Sequence, residues 1–217
     1  MRTANVAALG LVALSIVMTG CTPATDPSAT PSASPSSTTE PSSTPAPSPT
    51  PTDAAPDPAD PSTWIISDGG VGPVEIGGDL AATLAELPPT WENDSENCSW
   101  TAWWNAEDGD FGMYAVRGTE SETAPISEIS VYTTAKAPVP RARPQTAEGL
   151  GIGASRTEVL AEYPGAAEGA AQIGDGTWIM VPGDGEAHIF FEFRDGADVA
   201  SDVVVTTRAE PAYEVCG

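Results

Sequence analysis

The chain has 217 residues, 31 acidic against 8 basic, for a formal net charge of −23. So acidic a surface repels nucleic acid, whose binding depends on lysine and arginine at phosphates, and it stands off from anionic lipid headgroups. The one histidine, His188, is the only imidazole on which a hydrolytic triad or a histidine metal site would have to be built.

In chain order, Arg2 precedes an apolar run from Val6 to Met18. A membrane-spanning helix needs about 20 apolar residues, whereas a secretory signal has a hydrophobic region of roughly 7–15, so residues 1–20 read as a signal peptide. Met18-Thr19-Gly20-Cys21 resembles the lipobox of bacterial lipoproteins. That resemblance implies diacylation of the Cys21 thiol, cleavage just before it, and an address on the extracytoplasmic face of the cell membrane. Two acyl chains anchor stably where one is marginal. Residues 21–62 then form the lipidated cysteine and a tether dominated by Pro, Ser, Thr and Ala. Such a segment buries too little apolar surface to offset the entropy of ordering. In extended polyproline geometry it reaches on the order of 100 Å.

From Thr63 the character changes. All six tryptophans lie beyond it, and strand-like alternation begins. Ile76-Gly77-Gly78-Asp79 aligns with Ile152-Gly153-Ala154-Ser155, 76 positions on, as do Leu84 with Leu160 and Pro88 with Pro164. A two-residue slip aligns Ser127–Val131 with Ser201–Val205. The expected fold is α+β: two tandem repeats, 63–140 and 141–217, each a short helix followed by about three antiparallel strands, with the helices on one face of the sheet. Asp79 and Ser155 take the N-cap positions, and Ser155 with Glu158 forms a capping box. The helices run from Leu80 to Leu87 and from Ser155 to Tyr163, stopped by Pro88 and Pro164. Strands are expected at Ser99–Asn105, Phe111–Arg117, Ile126–Thr133, Thr177–Val181, His188–Arg194 and Val199–Thr207.

Ile76-Gly77-Gly78-Asp79-Leu80 and Ile152-Gly153-Ala154-Ser155-Arg156-Thr157-Glu158-Val159, each opening a short helix before a run of strands, resemble the tandem fold of the beta-lactamase inhibitor proteins. One repeat at a time, they are also similar to small outer-membrane-assembly lipoproteins of the SmpA type. The resemblance implies a fold and carries over no inhibitory residue.

With Cys21 lipidated, Cys98 and Cys216 allow one pairing, and export permits a disulfide. No catalytic constellation emerges. Gly149-Leu150-Gly151-Ile152-Gly153 lacks dinucleotide-loop spacing, and Glu107, Asp108 and Asp110 fall short of a calcium loop. No cofactor, metal or catalytic residue is assigned. Asp108-Gly109 and Asp184-Gly185 read as two-residue type I′ turns. Lys136, Arg141 and Arg143 read as a solvated connector between the repeats.

Those turns set the registers and hence the faces. Ile189, Phe191 and Phe193 are expected to face the helices, with Trp100, Trp104, Met113, Trp178 and Met180. The opposite face then carries Trp103, Tyr114, Val116, Ile179, Val181, His188, Phe190 and Glu192. Open, it is an interaction site; packed between repeats or under a loop, it is part of the interior. The function expected is a non-enzymatic binding module that uses this face toward a protein or cell-wall ligand. An envelope-assembly scaffold is the alternative, and a cell-wall hydrolase working through two carboxylates the remoter one.

Overall fold

Asp79 and Ser155 each start a seven-residue helix by accepting a backbone N–H from three residues on, Asp79 from Ala82 and Ser155 from Glu158. At Ser155 the Glu158 carboxylate reaches back to complete the capping box, a device worth about 1 kcal/mol at a helix start. These helices sit in a structure, a computed structural model, that describes residues 57–107, 109–133, 135 and 143–216. The signal segment, Cys21, most of the tether, Asp108, Lys136 and Arg141 lie outside the described residues.

A 3-10 turn at Pro61–Thr63 leads into β1 (Ile65–Ser67), β2 (Gly70–Val71) and β3 (Val74–Glu75), then α1 (Leu80–Glu86). The strands β4 (Thr101–Asn105), β5 (Gly112–Arg117) and β6 (Ile126–Tyr132) complete the first half. In the second half β7 (Gln145–Thr146) precedes α2 (Arg156–Glu162). Four strands follow: β8 (Ala167–Ala170), β9 (Thr177–Pro182), β10 (His188–Phe193) and β11 (Asp202–Thr206). The fold is α+β, with most of its regular secondary structure in strands. Both helices and the six expected strands form within a few residues of their expected limits.

The seven strands β4 to β6 and β8 to β11 make one antiparallel sheet in the order β4-β5-β6-β11-β10-β9-β8. The halves therefore meet edge to edge, where β6 pairs with β11 through Val131↔Val203 and Ile129↔Val205. A smaller sheet, β3-β2-β1-β7, crosses between the halves, with β1 parallel to β7. One face of the large sheet contributes Met113, Ala115, Ile129, Val131, Ile189, Phe191, Phe193, Val203 and Val205 to a single core. Leu80 of α1, Val159 of α2, and Trp64, Ile66, Val71 and Val74 of the small sheet complete it. Each large apolar side chain so buried contributes about 1.5–3 kcal/mol. Trp64 stacks on Trp91 with centroids 6.2 Å apart, and Arg156 lies over the Phe193 ring at 4.3 Å.

Positions 76 apart, just before the two helices, carry matching geometry. Gly77 and Gly153 have φ of 83° and 84°, a left-handed conformation that glycine adopts without a Cβ penalty. The Gly77 N–H donates to Ile126 O at 2.8 Å and the Gly153 N–H to Ala200 O at 2.7 Å. In return Gly78 O accepts from Ile126, and Ala154 O from Ala200, each at 2.8 Å.

Three expectations are corrected. The loop between β9 and β10 is not a two-residue turn: it runs from Gly183 to Ala187, with Pro182 opposite His188, and Gly185 has no positive φ. The wider loop is held by Asp68, whose Oδ2 accepts from the Asp184 N–H at 2.7 Å and the Gly185 N–H at 3.4 Å. Arg143, read as part of a solvated connector, is buried. The small sheet and β8 were not anticipated, because two- and three-residue strands and Ala-Glu-Gly-Ala carry no periodic signal.

Cys98 and Cys216 form a disulfide across a sequence separation of 118. Closing so long a loop removes denatured-state entropy worth up to about 5 kcal/mol. Denatured, unreduced protein is therefore expected to present neither cysteine to a thiol reagent. The Cys98→Ala/Cys216→Ala double variant should unfold at markedly lower denaturant. An unchanged midpoint would show that the bridge constrains nothing.

Candidate functional site

Alternation sends the remaining residues of the large sheet to its second face. They are Trp103 and Asn105 on β4, Tyr114 and Val116 on β5, and Glu128, Ser130 and Tyr132 on β6. Next come Asp202, Val204 and Thr206 on β11, His188, Phe190 and Glu192 on β10, and Trp178 and Met180 on β9. Six of the eight residues expected there are present: Trp103, Tyr114, Val116, His188, Phe190 and Glu192. Ile179 and Val181 are not. Ile179 pairs with Phe191 and Val181 with Ile189, and both are buried in the helix-side core. The five-residue loop shifts the register by one, and a one-residue shift exchanges every side chain between faces. The same shift brings Trp178 and Met180 to the second face. Trp178 lies against Gly169 of β8 and meets Phe190 edge-on at 5.4 Å.

The centre of this face is covered by the C-terminal segment, not by the other half of the chain. The Ala212 N–H donates to Glu128 Oε2 at 2.9 Å. Trp100, expected in the core, instead gives its indole N–H to Val215 O at 2.6 Å. The disulfide then fixes the end of the segment to Cys98. Beneath it Glu128, Ser130, Val204 and Thr206 are fully buried. On the flanks, Trp103, Trp178 and Met180 remain half-buried. The Trp103 indole donates to Glu92 at 3.1 Å, and His188 Nδ1 accepts from the Gly183 N–H at 3.4 Å.

Between this segment, β10 and β11 opens a cleft of about 400 Å³, lined in part by Tyr114, Glu192, Asp202, Ile173, Tyr213 and Arg194. Glu192 stands directly opposite Asp202 across the two strands, an arrangement that is destabilising when both are charged. Burial, then Asp202, Glu128 and Glu210, push the Glu192 carboxyl up to about 7. Burial also raises Asp202, against the opposing effects of the Ser201 hydroxyl and Arg194. The Ser201 hydroxyl donates to Asp202 Oδ2 at 2.6 Å. Glu128 is likewise raised by burial. The Tyr114 phenol is raised well above its ordinary value by burial and then by Glu128. Among the described residues no group of three His, Cys, Asp or Glu side chains is placed to hold a metal ion. What the cleft offers chemically is carboxyl groups at its floor that are poorly solvated, with Glu192 pushed up to about 7.

Glu128, Asp202, Trp178, Ile173 and Tyr213 were missed as site residues. For two of them a signal existed, since Glu128-Ile129-Ser130-Val131 and Asp202-Val203-Val204-Val205 alternate cleanly and put both acids opposite the core.

No protein-family model and no curated protein sequence matches the chain. Among solved structures, it is similar to an extracellular protein containing an SCP domain from Bacillus anthracis, at 16% identity. The match covers 60% of this chain and 43% of that one, with a TM-score of 0.34. The chain thus spans less than half the length of that neighbour.

Glu192 holds its proton up to about pH 7 when folded, against an ordinary carboxyl value of 4.5. The folded state therefore carries the extra proton between those values, and stability falls as pH rises across that window. The full shift corresponds to about 3 kcal/mol. Glu192→Gln is expected to flatten the fall and to melt higher than wild type at pH 8. A melting series from pH 4.5 to 8 measures it, and a slope unchanged in the variant would remove Glu192 as the cause.

Proposed function

We propose that the chain is an extracytoplasmic lipoprotein, held to the cell membrane by lipid on Cys21, whose domain is a non-enzymatic binding module. The second face of the seven-stranded sheet meets a protein or envelope ligand. The observation that carries this reading is the cleft beside the C-terminal segment, where Glu192 and Asp202 face each other. A like-charged pair kept half-buried costs stability, and such costs concentrate at functional positions. The aromatic flanks, Trp103 on the edge strand β4 and Trp178 on β9, next to the opposite edge, add contact area of the kind enriched at interfaces.

We also infer that the domain is a tandem duplication. The matched φ values at Gly77 and Gly153, the paired hydrogen bonds to Ile126 and Ala200, and the mirrored order β4-β5-β6 against β9-β10-β11 support it. Each half then supplies three strands to the binding face, and the ligand site lies off the pseudosymmetric centre, on the β10–β11 side.

Two measurements test the reading. Metabolic labelling with palmitate should mark wild type and leave Cys21→Ala unlabelled and released into the medium; equal labelling would overturn the anchor. A photo-crosslinking amino acid at Tyr213, on the cleft, should give one discrete adduct in cells, competed by added soluble domain. The same group at Glu86, on α1, should give none. Adducts from both positions, or from neither, would overturn the sheet face as the binding surface.

A further inference from the structure

We propose that the cleft receives the cationic side chain of a partner polypeptide, a lysine or arginine whose head reaches Glu192 and Asp202 while its aliphatic stem lies along Ile173 and Tyr213. The proposal rests on the sheet-face reading and names the chemistry of its partner.

Beside Glu192 the floor of the cleft lacks positive charge. Among the described residues none donates a hydrogen bond to the Glu192 carboxylate, and its cross-strand neighbours are Asp202 on one side and Trp178 on the other. Arg194, the one basic residue lining the cleft, donates to the carbonyl oxygen of Thr133; its charge acts on Asp202 and not on Glu192. Behind the floor, Glu128 is fully buried, and its Oε1 has no hydrogen-bond partner among the described residues. Its charge adds to that at Glu192. Three carboxyl groups thus act on one place, and the two cations near them among the described residues, Arg194 at Asp202 and Arg208 at Glu128, leave Glu192 without a positive neighbour.

The rim has the opposite character. Ile173 and Tyr213 are 59% and 57% exposed, two of only four large apolar residues so exposed among those described. Both line this cleft. An acidic floor below an apolar and aromatic rim matches an amphipathic side chain: methylenes pack on the rim, and the phenol ring of Tyr213 offers a face to an ammonium or guanidinium. A hydrated metal ion uses none of that rim. The volume, about 400 Å³, falls at the low end for ligand clefts, about 300–1,000 Å³. It accommodates a side chain and its flanking backbone. The net charge of −23 steers such a cation inward from a distance.

The test is fluorescence anisotropy with the full chain and a labelled Gly-Lys-Gly-Lys-Gly peptide at about 0.15 M salt, where long-range attraction is screened. Saturable binding is expected, abolished by acetylation of the lysine side chains. It should weaken about tenfold, the loss of one charge-assisted contact, in Glu192→Gln and in Asp202→Asn. Glu122→Gln/Glu162→Gln, which removes two exposed acids remote from the cleft, should leave affinity within about twofold. Thermal melts accompany each variant; removing a repelled charge should not lower the melting point, so lost binding cannot be lost folding. Absence of binding, equal loss in the remote variant, or binding of the acetylated peptide would overturn the proposal. So would displacement of the peptide by millimolar calcium through Glu192, which would make the cleft a metal site. A Tyr213 adduct in cells that persists unchanged in Glu192→Gln would leave the sheet-face reading standing and overturn the cationic assignment alone.

Discussion

The seam between β6 and β11 governs the rest of the domain. There Ile129, Val131, Val203 and Val205 point toward the helices with Glu128, Ser130, Val204 and Thr206 on the reverse, and all eight are out of contact with water. Strands covered on both faces are the usual condition of a sheet interior flanked by two layers. One layer here is α1, α2 and the small sheet; the other is the short C-terminal segment. The first is a broad apolar packing. The second is narrow and polar, fastened by a hydrogen bond to Glu128, another to Val215 O and a disulfide. Because the second layer is so narrow, the sheet is shielded at its middle and left open beside it. The cleft exists at that boundary.

How much of this was legible in the sequence depended on signal length. Helices announced by a cap and a proline stop were readable, as was the β4–β5 register, which matches Trp103↔Tyr114 and Trp104↔Met113. The β9–β10 register was not, because Asp184-Gly185 has the composition of a tight turn while Asp68, over a hundred residues earlier, holds the loop in a wider form. A tertiary contact overrode local turn chemistry. That single residue of slip moved Ile179 and Val181 inward and Trp178 and Met180 outward, so a correct list of strands still produced a partly wrong list of surface residues. The covering segment was invisible for a different reason. Arg208 to Val215 has no periodicity, and its place is set by the cysteine that follows it.

The carboxyl groups show how burial and charge act together. Glu128, Glu192 and Asp202 come from three neighbouring strands, and each is raised by burial before any neighbour acts on it. Glu128 has an N–H from Ala212 and Asp202 has the Ser201 hydroxyl. Glu192, without either, is driven furthest toward neutrality. The proposed binding site and a pH-sensitive element thus share one side chain, and occupancy by a cation would lower the proton affinity that makes the fold pH-sensitive.

At its far edge the sheet ends in β8, where Ala167, Glu168 and Ala170 are exposed and Glu168 is drawn to Arg156 of α2 at 3.0 Å. An uncovered edge is a template on which another chain can build a ladder. The strand is four residues long and carries a charge, both of which discourage such stacking. Neighbouring copies of the domain are therefore poorly suited to knit into fibres through this edge.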